Sequence, residues 1–539
     1  MCPAGLLVRL APPCYVTGMQ QSNPLLAPWD TPYGLPPFGS IQPEHWGPAL
    51  EAGIAEHQAE IDALAANPAP ADFANTIAAW DRSGRLFNRV ALAFFNLCSS
   101  ETSDALQAVE REWMPRIAAH QSRLYLNDAL FRRIDTIHVA RLGLGLEAEQ
   151  LRLVERIHLD FVINGARLGP DQKARYQEIV ERLSALSTMF GQHVLGDESG
   201  WQLLLTDSAD LDGLPESLVA AARQAAVERG HPDAWVITLS RSLVEPFLTQ
   251  SRRRDLREKA WRAWNARGEL SVERDTRPLA AEIIQLRREQ ARLHGYGSYA
   301  EYALRDRMAG TPEAVAGLLE RVWEPARRRA GEEQRQLAAL ASSQGETATI
   351  EAWDWRYWAE QLRQRDFQLD DAAIKPYFRL ESMLRAMFDC AGRLFGIRFV
   401  EQTGIPLYHP DVRIWEVRDS ADDQLIGIFL GDNYARPTKR SGAWMSNYRE
   451  QSRNAADGKP VLPIVVNNNN FARGAATGPD MSPGEATLLS FDDVKTLFHE
   501  FGHGLHGLLS AARYERLAGT NVLRDFVELP SQLFEHWAL

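Results

Sequence analysis

The chain has 539 residues, of which 45% are apolar and 24% are charged, a composition typical of globular proteins that bury large cores. Its formal net charge of −12 argues against a nucleic-acid partner, because nucleic-acid-binding domains are usually basic. No stretch approaches the roughly eighteen consecutive apolar residues of a membrane span, so we expect no membrane partner either.

The amino-terminal stretch, residues 1–19, is interpreted as a leader of doubtful status. It contains a short apolar run, but Arg9 interrupts that run and no small-residue cleavage site follows it. Pro13 before Cys14 is also unsuited to lipoprotein processing. The four cysteines of the chain are too few and too scattered for a disulfide framework, which favours a reducing compartment. We therefore expect the protein in the cytoplasm.

Most of the chain shows the apolar periodicity of α-helices. Pro43 is placed to open a first helix, whose apolar face runs to the turn signal at Asn67. Apolar residues between Ile77 and Phe94 recur with a spacing of about 3.5, typical of one helix packed against other helices. A further apolar stripe follows at 315–322. Each stripe predicts a helix face that is buried in a core.

One region predicts β-structure instead. The β-rich runs 412–417 and 425–430 are joined by an acidic turn at 419–423, which indicates a hairpin. The run 461–466, which ends in four asparagines, predicts a third strand, and 442–445 predicts another. Such a sheet either supports the helix that follows it or offers a strand edge to an extended peptide. The pattern alone leaves both roles open.

A cluster of histidines occupies the helix predicted after this sheet, whose N-cap is Ser490 or Asp492. His499 and His503 are four residues apart, so their side chains lie roughly 40° apart around the helix axis and reach the same ion. Glu500 lies about 100° from His499, where it is placed to take a proton from a bound water. This spacing is the H-E-x-x-H arrangement of zinc peptidases. The alternative is two surface histidines that flank an acid.

Three glycines interrupt this helix at Gly502, Gly504 and Gly507. Each glycine costs about 1 kcal/mol of helix stability relative to alanine, so their concentration beside the histidines calls for a reason. We expect the backbone of another element to pack closely against the helix here. A frayed helix end is the alternative.

A catalytic zinc site needs a third protein ligand and one open position. A third histidine at the metzincin position is excluded because that position holds Leu509. Glu528 follows His503 by 25 residues and lies where a loop enters a second, antiparallel helix. Two other carboxylates are rivals: Glu515 lies near the end of the first helix, and Glu535 lies two turns further along the second.

The residues 499–507, followed by 519–521 and 525–532, resemble the thimet-oligopeptidase-type zinc metallopeptidases. The resemblance covers about residue 20 to the last residue, and within the family it is strongest to the bacterial peptidyl-dipeptidases. Shorter stretches that agree with this branch in order occur at 23–26, 36–38, 94–97, 118–121, 353–357 and 434–437.

The resemblance implies a mainly α fold. The expected architecture is a two-lobed multi-helical metallopeptidase with a deep channel and a small β-sheet beside the zinc helix. Residues 20–245 are expected to form an amino-terminal helical region, and 246–539 a catalytic region that is truncated at its carboxyl end. Because the similarity begins just after Met19, the stretch before it is also consistent with a wrongly assigned start.

The same resemblance implies one Zn2+ per chain, bound by His499, His503 and Glu528, with Glu500 as the catalytic base. It also implies short peptides as substrates, the release of carboxy-terminal dipeptides as the reaction, and a monomer. The alternatives are endopeptidase action of the oligopeptidase A type and an inactive zinc-binding fragment. The second alternative arises because the chain stops at Leu539 in an apparent mid-helix, where family members continue with the groups that stabilise the oxyanion and bind the substrate carboxylate.

Three further side chains are candidates for supporting groups by their helical spacing. Asp525 and His536 lie near Glu528, and His506 follows His503 by about one turn. Each is placed either to orient a ligand or merely to pack or cap, and the spacing does not separate these roles.

Overall fold

The computed structural model describes residues 23–346, 349–368, 374–474 and 482–539, so the leader predicted at 1–19 lies outside the described residues. Helices dominate the described chain, as expected. Within it, none of the helices has the length and apolar character needed to cross a bilayer. The helices are α1 (Pro43–Ala65), α2 (Ala78–Asp81), α3 (Arg85–Ser100), α4 (Asp104–Tyr125), α5 (Asp128–Ala140), α6 (Ala148–Ile163), α7 (Pro170–Gly200), α8 (Glu216–Glu228), α9 (Arg241–Gln250), α10 (Arg254–Asn265), α11 (Arg277–Leu293), α12 (Tyr299–Leu304), α13 (Pro312–Ser343), α14 (Trp355–Phe367), α15 (Leu380–Phe395), α16 (Pro483–Ala486), α17 (Phe491–Leu508) and α18 (Glu528–Glu535).

The β-structure consists of a small antiparallel pair and a five-stranded sheet. In the larger sheet the strand order is β3-β4-β5-β7-β6, and all neighbours are antiparallel except β5 and β7. The strands are β1 (Leu203–Leu205), β2 (Trp235–Ile237), β3 (Ile397–Gln402), β4 (Arg413–Asp419), β5 (Leu425–Tyr434), β6 (Trp444–Arg449) and β7 (Ile464–Phe471).

The predicted hairpin is present as the antiparallel pair β4 and β5. The third predicted strand is also present, but the prediction that it ends at the asparagines is wrong, because 467–470 lie inside β7. Asn467 pairs with Gly431 of β5 on one side and with Met445 of β6 on the other. Pairing on both sides satisfies the strand backbone and outweighs the low intrinsic β-propensity of asparagine.

The five-stranded sheet lies between two layers of helices. Leu430 and Val466 pack with α1, α3 and α4 on one face, whereas Phe429 and Val465 pack with α15, α17 and α18 on the other. Alternate residues of one strand point to opposite faces, so both faces of β5 and β7 are apolar. The phenyl rings of Phe429 and Phe501 are in edge contact, with centroids 5.1 Å apart, and this contact fixes α17 on the sheet.

The core on the first face is shared by amino-terminal helices and by strands from the second half of the chain. The predicted small sheet beside the histidine-bearing helix and the predicted mainly α fold are both confirmed. The division at residue 245 stays a prediction.

Two of the predicted helix stripes differ from the structure. The stripe from Ile77 to Phe94 belongs to two helices, because Gly84 adopts a positive φ of 72° between α2 and α3. A Cβ on Gly84 would stand 2.7 Å from the His57 ring, so a side chain is excluded there. The stripe at 315–322 does lie on a helix, α13, but the predicted burial is wrong: Leu319, for example, is 62% exposed. Periodicity reveals an apolar face but not what covers it.

Candidate metal centre

The helix that carries the H-E-x-x-H residues, α17, begins at a reciprocal cap. Ser490 Oγ accepts a hydrogen bond from Asp493 N (3.0 Å), and Asp493 Oδ2 accepts one from Ser490 N (2.8 Å). The structure thus selects Ser490 over Asp492 as the N-cap. The apolar face of α17 is buried against the sheet, while the side chains of His499 and His503 stay partly exposed.

The side chains of His499, His503 and Glu528 converge on one point. His499 Nε2 lies 3.2 Å from Glu528 Oε2, and His503 Nε2 lies 3.1 Å from the same oxygen. The potential ligand atoms all lie within 4.8 Å of one another. Metal–ligand bonds of 2.0–2.2 Å in a tetrahedral site separate ligand atoms by roughly 3.4 Å, so the observed spacings fit a zinc-sized ion. Two imidazole nitrogens and one carboxylate oxygen also match the donor set of catalytic zinc sites, which keep a fourth position open.

Glu500 lies next to His499 on α17 and is only 6% exposed. Burial raises the pKa of Glu500 to about 7, while nearby His499 lowers it and Glu528 raises it further. A carboxyl group with a pKa near neutrality both accepts and releases a proton at neutral pH.

The position of Glu528 is set by a close approach of α17 and α18. A Cβ built on Gly502 would stand 2.6 Å from Ser531 Cα and 3.1 Å from the Pro530 carbonyl oxygen. Only a glycine at position 502 lets the backbone of α18 come this near. The sequence-based expectation of close backbone packing against this helix is confirmed for Gly502.

Gly504 and Gly507 serve packing of another kind. A Cβ on Gly504 would stand 3.2 Å from Asn467 Oδ1, and one on Gly507 would stand 2.8 Å from the Cε of Met445. These two glycines therefore let α17 settle on the side chains of β7 and β6. The helix continues to Leu508, so the alternative of a frayed end is excluded.

Two side chains of α18 orient the converging groups. The Ser531 hydroxyl is fully buried and lies within hydrogen-bonding distance of both Glu528 Oε2 (3.0 Å) and the carbonyl oxygen of Glu528 (2.9 Å). Glu535 Oε1 lies 2.5 Å from His499 Nδ1, so a proton on Nδ1 leaves Nε2 free for a metal. Burial raises the pKa of Glu535, but hydrogen bonds from His499 and Lys495 outweigh it and bring the pKa below its usual value.

From the sequence, Glu535 was predicted only as a rival ligand, and no role was predicted for Ser531. The available signal was spacing: Ser531 and Glu535 follow Glu528 by three and seven residues, which places all three on one face of a helix. The other rival, Glu515, lies on a short turn beside Asp81, whose carboxylate accepts a hydrogen bond from Glu515 N.

Among the described residues, no hydrogen bond or ion pair joins the three candidate supporting groups to the converging ligands. The Asp525 carboxylate instead accepts hydrogen bonds from the backbone of Met308 (3.0 Å) and Ala309 (2.9 Å), tying the segment before α13 to the segment before α18. His506 Nδ1 is buried and without a hydrogen-bond partner among the described residues. His536 is the C-cap residue of α18.

Comparison with known proteins places this arrangement in a family. Residues 247–539, more than half of the chain, match Peptidase family M3. The chain belongs to Peptidase family M3. It is accordingly a metallopeptidase. The three converging side chains of this M3 chain, His499, His503 and Glu528, lie within the matched residues.

Proteins similar to this M3 chain match nearly its whole length. The dipeptidyl carboxypeptidase of Escherichia coli (strain K12) is 40% identical over 521 residues, which are 96% of this chain and 75% of that protein. The dipeptidyl carboxypeptidase of Salmonella typhimurium is 40% identical over 518 residues, with 96% and 74% of the two chains covered. Oligopeptidase A of Salmonella typhimurium is 32% identical over 521 residues, again 96% of this M3 chain and 75% of the relative.

Proposed function

We propose that the chain is a zinc peptidase that releases dipeptides from the carboxyl ends of short peptides. The observation that carries the zinc assignment is the convergence of two imidazole nitrogens on Glu528 Oε2, at 3.2 and 3.1 Å. His499, His503 and Glu528 would hold the ion, and Glu500, which is next to His499 on α17, would serve as the base. A purely structural zinc site would fill its fourth position with a protein ligand and would need no neighbouring base.

The proton transfers of peptide hydrolysis are assigned to Glu500. A zinc ion in this site supplies Lewis acidity, which activates water near neutral pH and polarises the scissile carbonyl. Glu500 accepts the proton of the attacking water and then donates it to the departing amine. Burial raises the pKa of Glu500, which favours its taking up a proton during the reaction. During these transfers Glu535 holds His499 in place, and Ser531 holds Glu528 in place.

The strand β6 is proposed to bind the peptide in an extended conformation. It is an outer strand of the five-stranded sheet and pairs with β7 on one side. It also lies against α17, since Met445 Cε is 2.8 Å from a Cβ built on Gly507. Asn96 donates to the carbonyl of Asn447 on this strand (2.9 Å) and accepts from the hydroxyl of Ser446, so the peptide is assigned to the part of the edge that precedes Ser446. Main-chain hydrogen bonds to such an edge hold a peptide with little dependence on its side chains.

The choice between exopeptidase and endopeptidase action rests on similarity. Two relatives named dipeptidyl carboxypeptidase are 40% identical to the chain, whereas oligopeptidase A is 32% identical over a comparable length. We therefore favour release of carboxy-terminal dipeptides, with endopeptidase cleavage of short peptides as the alternative. A cytoplasmic location and a monomeric state stay predictions from the sequence.

A pair of peptides tests the proposed specificity. The zinc-loaded chain is incubated with a short peptide that has a free carboxyl end and with the same peptide as its carboxy-terminal amide. A peptidyl-dipeptidase binds the terminal carboxylate at a fixed distance from the reacting bond, so the amide should be cleaved much more slowly. Equal cleavage of both peptides at an internal bond would favour the endopeptidase alternative. If neither peptide is cleaved, the activity assigned to this chain is contradicted.

A further inference from the structure

A second group of metal-binding side chains lies on α5 and α6, helices that do not carry the centre described above. Asp135 and His138 are three residues apart on α5, and His158 faces them from α6. Their potential ligand atoms all lie within 4.8 Å of one another. His158 Nε2 is already 3.0 Å from Asp135 Oδ1.

The spacing of this group is close to what a tetrahedral ion requires. Ligand atoms around zinc stand roughly 3.4 Å apart, and the 3.0 Å between His158 Nε2 and Asp135 Oδ1 is near this value. The ring of His138 stacks on that of His158 with centroids 3.6 Å apart and an interplanar angle of 5°. Because parallel rings direct their nitrogen lone pairs alike, one ring must tilt for both to bind one ion. His138 is only partly buried, so its side chain has room to tilt.

The charges around the stack disfavour protonation of both rings at once. Two protonated rings at 3.6 Å would repel each other, and Arg167 and Arg141 add positive charge nearby. The ring of Phe131 also stacks on that of His158, with centroids 5.7 Å apart. In the absence of an ion His158 Nε2 donates its proton to Asp135, since a carboxylate only accepts, so an ion that binds Nε2 releases this proton to Nδ1 or to solvent. With that proton released, the cluster presents two imidazoles and one carboxylate, the donors that zinc, nickel and copper ions prefer.

Arg167 competes with a cation for Asp135. Its Nη2 lies 3.7 Å from Asp135 Oδ1, and its side chain is 62% exposed. An exposed pair of this kind is worth little energy, so an ion displaces it readily. The presence of Arg167 nonetheless predicts that this site binds an ion more weakly than the site on α17 and α18, where the buried hydroxyl of Ser531 supports Glu528.

We propose that Asp135, His138 and His158 form a second, weaker binding site for a late divalent transition-metal ion such as Zn2+. An ion bound there cross-links α5 and α6. The second helix also carries Asp160, which accepts hydrogen bonds from Arg516 (2.8 and 3.0 Å). Occupancy of the site therefore stabilises the helix pair and the segment attached to it. This inference does not depend on the peptidase activity.

A zinc titration of the purified chain, with its tighter site already loaded, tests the proposal. Isothermal calorimetry should show one additional ion bound by the wild-type protein. His138→Ala should weaken this second binding event by more than roughly tenfold, and Asp135→Asn should act in the same direction. Arg167→Gln should tighten it, since the competing cation is gone. His231→Ala, which removes a histidine on a distant turn, should leave both events unchanged.

Thermal unfolding supplies a second readout, because an ion that binds only the folded state raises the melting temperature. The rise caused by added zinc should be smaller in His138→Ala and in Asp135→Asn than in wild type and His231→Ala. Two results would overturn the proposal. One is the absence of a second ion in wild type at roughly millimolar zinc, and the other is a second event of unchanged affinity in both His138→Ala and Asp135→Asn.

Discussion

Gly502 of α17 and Ser531 of α18 touch backbone to backbone, with only 2.6 Å between Ser531 Cα and the place where a Cβ on Gly502 would stand. This contact decides where Glu528, one turn before Ser531, presents its carboxylate to the two histidines. The metal centre therefore depends on a residue that carries no ligand atom.

Replacing Gly502 with alanine should damage the metal centre and the fold together. The new methyl group meets backbone atoms of α18, which must move away and carry Glu528 with them. Overpacking of this kind costs about 1–3 kcal/mol, and we expect a lower melting temperature and weaker zinc binding. Gly317→Ala is the matched control, because a Cβ at Gly317 on α13 meets nothing within 4 Å. That variant should be neutral or up to about 1 kcal/mol more stable.

Replacing Glu535 with glutamine should weaken zinc binding while leaving all proposed ligands in place. The carboxylate fixes the ring of His499 through Nδ1 (2.5 Å), and loss of such a supporting group typically costs roughly 10–100-fold in metal affinity. Competition with a chelator of known affinity measures the change. Lys495→Gln removes only the exposed partner of Glu535 (3.1 Å) and should have a much smaller effect. Equal affinities of Glu535→Gln and wild type would show that His499 is oriented by other contacts.

Replacing Glu500 with glutamine should separate metal binding from turnover. The amide keeps the shape of the side chain but no longer accepts the proton of the attacking water. Peptide hydrolysis should fall by roughly 10²–10⁴-fold, the usual contribution of a general base, with zinc content unchanged. Hydrolysis retained within a factor of a few would mean that another group is the base.

The sequence predicted the parts of this centre that depend on local spacing. His499 and His503 share a helix face because they are four residues apart, whatever the rest of the fold does. Glu528 was selected through a family resemblance, since the rival carboxylates Glu515 and Glu535 could not be separated by spacing. The contact of Glu535 with His499 could not be predicted, because it depends on how α18 crosses α17.

The predictions that were wrong also concern features that depend on contacts between distant parts of the chain. The stripe around Leu319 has helical periodicity, yet the face is exposed, because burial depends on what packs against a helix. The break at Gly84 depends on the distant ring of His57, which occupies the space that a side chain would need. The asparagines from Asn467 onward lie in a strand because both neighbouring strands satisfy their backbone.

A buried pair of histidines predicts loss of stability in mild acid. His120 Nε2 lies 3.1 Å from His57 Nδ1, and His120 is fully buried. Burial lowers the pKa of His120 from 6.5 to about 4, with smaller contributions from His57 and Arg123. As the pH falls, His120 takes up a proton near pH 6.5 in the unfolded chain but only near pH 4 in the folded protein. The free energy of unfolding is therefore unaffected by this group above pH 6.5 and decreases as the pH falls from 6.5 towards 4.

This shift corresponds to about 3 kcal/mol of unfolding free energy at most. Denaturant unfolding of wild type and His120→Gln across this pH range measures it. The wild-type free energy of unfolding should fall more steeply with acid than that of His120→Gln, which has no proton to gain at this position. Parallel pH profiles of the two proteins would contradict the assignment.

The zinc content of the chain tests the central claim, a metal centre formed by His499, His503 and Glu528, most directly. Wild type, His503→Ala and the control His506→Ala are dialysed against zinc and then against zinc-free buffer, and metal per chain is measured by atomic spectroscopy. We predict one tightly held zinc in wild type and in His506→Ala, and almost none in His503→Ala, which lacks one of three ligands. Equal zinc in wild type and His503→Ala would contradict the assignment of the site.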